Sequence, residues 1–268
     1  MFILFLARLK RNGRYRKDLL DSEKMLKSIR QKVTPADLQE WIGQALQHPF
    51  WEVRTNAVKI IGLTRMDFFC EKLSTLLLTK RELGFIRRNA ATSLGQIGVP
   101  SERVLDALIA ALSDPYWEVR GQAAIALSKL GKPDPQIEQM LLKMLFRKPL
   151  EQIRNYPILF PGRIFREKNF EVRATLISAL GTFLSDPNNI RALEILMQDD
   201  SWKVRSTAIQ AYRISANRLG VAQETIISRL KSVDMTCADF APAFPIRRVV
   251  NENIEIAMSE PFDNNGGR

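Results

Sequence analysis

Apolar and polar residues in this chain follow a helical rhythm that restarts five times, each time around an arginine. The copies are Trp51-Glu52-Val53-Arg54, Phe85-Ile86-Arg87, Trp117-Glu118-Val119-Arg120, Phe170-Glu171-Val172-Arg173 and Trp202-Lys203-Val204-Arg205. With each arginine as zero, position −1 is Val53, Ile86, Val119, Val172 and Val204, and +3 is Ala57, Ala90, Ala123, Leu176 and Ala208. Position +4 is Val58, Ala91, Ala124, Ile177 and Ile209, and +7 is Ile61, Leu94, Leu127, Leu180 and Tyr212. These four positions share one side of a helix, so every copy predicts a helix with a buried apolar stripe. The small residues at +3 predict close approach of neighbouring helices. Gly62, Gly95 and Gly181 at +8, with Gly98 and Gly131 at +11, are expected where these helices end.

A second helix is predicted before each of these. Thr34-Pro35, Asp134-Pro135 and Asp186-Pro187 place a capping side chain ahead of a first-turn proline, and Asp114-Pro115 does the same for a pattern helix. The preceding helices read as 35–47, 67–79, 102–112, 135–146 and 188–198. Successive arginines lie 33, 33, 53 and 32 residues apart, one period throughout plus about 20 extra residues before the fourth copy. A fixed period of this length predicts a solenoid whose units bury their apolar faces only against neighbours. No stretch alternates with period two for long enough to suggest a sheet, so the expected class is all-α.

Asp114-Pro115-Tyr116-Trp117-Glu118-Val119-Arg120, with Ala123, Ala126 and Leu127, resembles the HEAT repeats, especially the short HEAT-like type first known from phycobilin lyases. The resemblance covers roughly residues 35–230, while the side-chain signatures of ankyrin and tetratricopeptide repeats are absent. It implies a right-handed α-solenoid of about five to six HEAT-like helix pairs. It also implies that an acidic residue near position −6 pairs with the repeat arginine in a ladder between adjacent repeats. Asp114, Glu167 and Asp199 hold that position for Arg120, Arg173 and Arg205. His48 and Arg81 hold it for Arg54 and Arg87, so the ladder is expected to weaken toward the N-terminus, with Glu82 as a partial substitute. A paired guanidinium satisfies the geometry without a ligand. The rival reading, a row of arginines binding phosphates, requires them unpaired. The aromatics at −3 (Trp51, Trp117, Phe170, Trp202) are expected to pack at helix starts or, alternatively, to anchor a partner peptide.

Charge changes the picture because it is unevenly placed. The net +11 lies in residues 1–32 (+7) and 147–168 (+4), while 33–146 and 169–268 carry +1 and −1. The segment 147–168 contains Pro149, Pro157, Pro161 and Gly162, which argue against a long helix. Its Arg154, Tyr156, Phe160, Arg163, Phe165 and Arg166 interleave basic and aromatic side chains, suited to an acidic protein surface or to nucleic acid. The plain alternative is a loop folded back on the body with its charges in water. At the N-terminus, Met1–Ala7 are apolar and Arg8, Lys10, Arg11, Arg14, Arg16 and Lys17 follow. Seven apolar residues fall short of the roughly 20 needed to span a bilayer, and a secretory signal would carry its charge first. This arm is expected to cap the first repeat, dock on a partner, or touch an anionic membrane through residues 1–17.

Three segments are therefore expected: a basic arm or capping helix (1–32), a HEAT-like solenoid with its insertion (33–231), and a C-terminal cap and flexible tail (232–268). In the last, 246–258 reads as one more short helix. Two cysteines, Cys70 and Cys237, and one histidine, His48, leave little material for metal sites, disulfides or nucleophilic catalysis, and no nucleotide-binding glycine motif occurs. No cofactor, metal or catalytic residue is assigned. The sequence reading is a non-enzymatic, cytoplasmic adaptor that binds a protein with an acidic surface, using its concave face, the insertion and the arm. Two alternatives stand beside it: a nucleic-acid-binding HEAT-like protein resembling the alkylpurine DNA glycosylases, and a phycobilin-lyase-like chaperone acting on bilins and antenna proteins.

Overall fold

The computed structural model describes residues 34–153, 164–233 and 246–259. The basic arm (1–32), the middle of the insertion (154–163) and the tail residues 234–245 and 260–268 lie outside the described residues. Among the described residues every regular element is helical, apart from one isolated antiparallel bridge between Phe146 and Phe165. The chain divides into two compact units with a boundary between Ala111 and Leu112.

The first unit contains α1 (Pro35–Ala45), α2 (Trp51–Thr64), a 3-10 turn (Asp67–Phe69) leading into α3 (Cys70–Leu78), α4 (Gly84–Ile97) and α5 (Glu102–Ala111). The arginine-bearing helices α2 and α4 pack side by side, α1 packs on α2, and α3 packs on both α4 and α5. The second unit contains α6 (Trp117–Leu130), α7 (Pro135–Leu145), a 3-10 turn (Leu150–Gln152), α8 (Phe170–Phe183), a 3-10 turn (Pro187–Ile190), α9 (Arg191–Leu196), α10 (Trp202–Arg218), α11 (Gln223–Lys231) and α12 (Ile246–Ser259). Here α8 lies between α6 and α10, α7 and α9 back α8 and α10 respectively, and α12 closes on α10 and α11.

The apolar stripe explains this layout. All twenty residues at −1, +3, +4 and +7 are at most 1% exposed. Burying four such side chains per helix removes its apolar face from water only when another helix covers it, which couples each repeat to the next. Helix starts follow local chemistry. Thr34 accepts from the Asp37 amide, Asp134 from those of Gln136 and Ile137, and Asp186 from that of Asn188, each ahead of a proline.

Several expectations change. Asp114 does not cap α6. The helix begins only at Trp117, and Asp114 Oδ1 instead accepts from the Tyr116 amide at 2.8 Å, closing the turn before it. Gly98 does end α4, with φ of +83°. Gly62 and Gly181, expected at helix ends, lie inside α2 and α8. A Cβ on Gly62 would sit 2.6 Å from Ser93 Oγ, and one on Gly181 would sit 3.1 Å from the Ala211 Cβ. They let the next repeat's helix come close enough for Ser93 to donate to the Val58 carbonyl at 2.8 Å and Ser215 to the Gly181 carbonyl at 3.1 Å.

Candidate functional site

Three arginines grip the next repeat in the same way. Arg54 donates from Nε and Nη2 to the two carboxylate oxygens of Glu82 at 2.8 and 2.9 Å. Arg120 forks onto Glu167 at 2.9 and 3.0 Å, and Arg173 onto Asp199 at 3.1 and 2.8 Å, with Asp200 Oδ1 a further 3.3 Å from its Nη2. The third nitrogen turns back on its own repeat. Nη1 of Arg54 donates to the His48 and Pro49 carbonyls, that of Arg120 to Asp114 and Pro115, and that of Arg173 to Glu167 and Lys168. Each guanidinium therefore ties the loop before its own helix to the acid of the following loop, using the planar fork that distinguishes arginine from lysine. Where the sequence suggested weakening, at Arg54, both oxygens of Glu82 are engaged. Arg87 donates to the Glu82 carbonyl, and Arg87 and Arg205 are both buried.

The acids have a second task. Glu82, Glu167 and Asp199 also accept from the amides of Leu83, Asn169 and Ser201, which fixes each loop as it enters its helix. The titrations of Glu82 and Asp199 diverge. Burial works to raise Glu82, but hydrogen bonds from Arg54 and the Leu83 amide, with the charges of Arg54 and Arg87, hold it below the usual glutamate value. Burial and the adjacent Asp200 push Asp199 up to about 6, against the opposing pull of Arg173 and the Ser201 amide.

The insertion is pinned at its base. The Arg147 amide donates to the Ile164 carbonyl at 2.9 Å and the Arg166 amide to that of Leu145 at 2.8 Å, making a two-stranded neck. Leu150, Ile153 and Ile164 are buried there, and Arg191 holds the Ile153 carbonyl at 2.8 Å. Phe165, expected to face a partner, is buried instead: it packs on Phe146 at 5.7 Å and lies beneath the Arg173 guanidinium at 5.2 Å. Arg166 is exposed. The other candidates, Arg154, Tyr156, Phe160, Arg163, Arg8, Lys10, Arg11, Arg14, Arg16 and Lys17, lie outside the described residues.

The −3 aromatics divide. Trp51 meets Phe85 edge-on at 4.9 Å, whereas Trp117, Phe170 and Trp202 remain 41%, 46% and 37% exposed, so helix-start packing covers only part of each ring. Sequence reasoning also missed Glu138, whose buried carboxylate accepts from the Ser185 amide and hydroxyl, the Asp186 amide and Asn189 Nδ2. No spacing rule links Glu138 to a loop 47 residues away; only the packing of α7 on α8 brings them together. Among the described residues no group of three or more His, Cys, Asp or Glu side chains could hold a metal ion. No helix among them is long and apolar enough to cross a membrane.

A family model of HEAT repeats matches residues 38–128 and 85–155. No curated protein matches significantly. Among solved structures, the complex of CpcE and CpcF of phycocyanin lyase from Nostoc sp. PCC7120 is similar at 21% identity, over 82% of this chain and 76% of that one, with a TM-score of 0.51. Two engineered proteins are similar at 18% identity. One covers 83% of this chain and 97% of its own with a TM-score of 0.51; the other covers 84% and 99% with 0.53.

Proposed function

We propose that this chain, whose residues 38–155 match a family model of HEAT repeats, is a protein-binding adaptor or complex subunit that uses the outward faces of its arginine-bearing helices. The observation that carries this reading is where the cations are. Arg54, Arg120 and Arg173 spend all their donor nitrogens on carboxylates and carbonyls of the fold itself. In the second unit, +2 and +5 of such helices present Gln122 and Ile125, Thr175 and Ser178, and Thr207 and Gln210, none of them basic, with Glu118, Glu171 and Lys203 one turn earlier on the same side. A nucleic-acid groove needs lysine and arginine repeating toward phosphates, and counterion release would make its binding steeply salt-dependent. Amides and hydroxyls on successive helices suit a polypeptide surface better.

The test is cross-linking in native cells followed by mass analysis, on wild type and on a Gln122→Glu, Ser178→Glu, Gln210→Glu variant shown to be folded. A discrete cross-linked complex that disappears in the variant supports the reading. A wild-type protein that stays uncross-linked, or that binds duplex DNA with a steep salt slope, contradicts it.

A narrower form takes the chain as a subunit of a lyase-like pair acting on bilins. Its support is the fold shared with a chain of the CpcE–CpcF complex over 82% of this one. Co-expression with a bilin and an antenna subunit, followed by absorbance, distinguishes it from a plain adaptor.

A further inference from the structure

Exposure alternates along the chain as it leaves the insertion. Phe165, Glu167 and Asn169 turn inward, to lie under Arg173, to hold Arg120 and to cap α8. Arg166, Lys168 and Phe170 turn outward and are exposed. The inner half of this segment belongs to the ladder, and the outer half is left over. On the opposite strand of the neck, Arg147 and Lys148 are exposed as well. The bridge at Phe146 and Phe165 sets Arg147 and Arg166 on the face away from those two rings, in diagonal register across the pair. Arg147 Nε donates to the Phe165 carbonyl at 3.0 Å.

Among the described residues no ion pair engages Arg147, Lys148, Arg166 or Lys168. Of the two acids in the neck, Glu167 is forked by Arg120, and Glu151 is exposed and outnumbered. The backbone beneath is fixed by two cross-strand hydrogen bonds, so the positions from which Arg147 and Arg166 extend keep their spacing without a partner. Cations of one sign on a fixed backbone are suited to steering and orienting an oppositely charged surface.

We propose that this outward row, Arg147, Lys148, Arg166 and Lys168 ending on Phe170, binds an acidic segment of a protein partner that also carries an aromatic or aliphatic side chain. The proposal rests on the adaptor reading and adds the chemistry of the partner. A protein is favoured over nucleic acid because the row is not continued by lysine or arginine at the helix positions that follow it among the described residues. The helix face of the same unit offers Gln122, Ser178 and Gln210, so no phosphate backbone would find a continuing track.

The experiment measures anisotropy of a labelled acidic octapeptide, glutamate at alternate positions with one phenylalanine, against the full chain. It compares wild type, Arg166→Gln with Lys168→Gln, and the control Lys132→Gln with Lys231→Gln, which removes two exposed charges elsewhere in the same unit. Circular dichroism confirms that all three are folded. The peptide is expected to bind wild type and control alike and the neck variant about tenfold more weakly, a difference that shrinks in high salt. Equal binding to both variants, or no binding by wild type, overturns the proposal. So does tighter binding of a short DNA duplex that the neck variant loses, which makes the row a nucleic-acid contact. The adaptor reading is judged separately, because its helix-face variant leaves the neck untouched. A native complex that persists while the peptide result fails removes only the neck assignment.

Discussion

The Arg173 guanidinium lies over the Phe165 ring at 5.2 Å while forking onto Asp199. One side chain thus fastens the returning end of the insertion to the body and the body to the next repeat. Planar stacking and a bidentate fork both require arginine. Arg173→Lys is therefore expected to destabilise the fold by about 1–3 kcal/mol despite keeping the charge. Phe165→Ala, which empties a buried site, is expected to cost about 3–5 kcal/mol. Urea unfolding measures both, and a Lys variant as stable as wild type would show that the fork and stack are unimportant.

Opposite pH behaviour is expected from two rungs. Glu82 is held below its ordinary value, so its contribution is full above the unfolded value of 4.5 and is lost as pH falls through the lowered folded value. Asp199 is raised from 3.8 to about 6, so the folded state holds its proton longer. That contribution is full below 3.8 and is lost as pH rises through about 6. Asp200→Asn removes a neighbour that raises Asp199 and is itself largely exposed. The fall in Tm between pH 4.5 and 7 should be smaller in this variant than in wild type. An equal fall would mean that Asp199 does not titrate in this window.

Close helix approach predicts where small residues are obligatory. A Cβ on Gly131 would overlap the ring of Phe183 at Cζ, so Gly131→Ala is expected to destabilise by about 1–3 kcal/mol through overpacking. At Gly98 nothing lies within 4 Å of where a Cβ would stand, and Gly98→Ala should cost only the strain of its positive φ, about 1 kcal/mol. Thermal melts that rank the two in reverse order would contradict the packing.

The helices were legible because the information is local. Positions −1, +3, +4 and +7 name one face of each, and proline with a capping side chain marks starts such as Pro35 and Pro135. The roles of Gly62 and Gly181 were not legible, since a glycine that ends a helix and one that admits a neighbour look alike until the neighbour is placed. Phe165 misled for a related reason. Surrounded in sequence by prolines and arginines it reads as a loop aromatic, and only pairing with Phe146, 19 residues away, turns it inward. The ladder arginines and most of their acids could be singled out by spacing. That Glu82 would be gripped by both oxygens depends on a loop geometry no spacing encodes.

The neutral donors gathered on buried Glu138 make a further prediction. Glu138→Ala leaves the Ser185 amide and Asn189 Nδ2 without their acceptor and is expected to cost about 1–3 kcal/mol. Hydrogen exchange should then rise first in the turn Pro187–Ile190. Unchanged protection there would place the acceptor's role elsewhere.

The central claim is that the repeat arginines are consumed in holding adjacent repeats together. The double-mutant cycle of Arg120→Ala and Glu167→Ala, read by urea unfolding, tests it most directly. The account predicts a coupling of about 1–3 kcal/mol between these residues, 47 positions apart in sequence. A coupling near zero, with each substitution costing little alone, would mean that the guanidinium is available for something other than the fold.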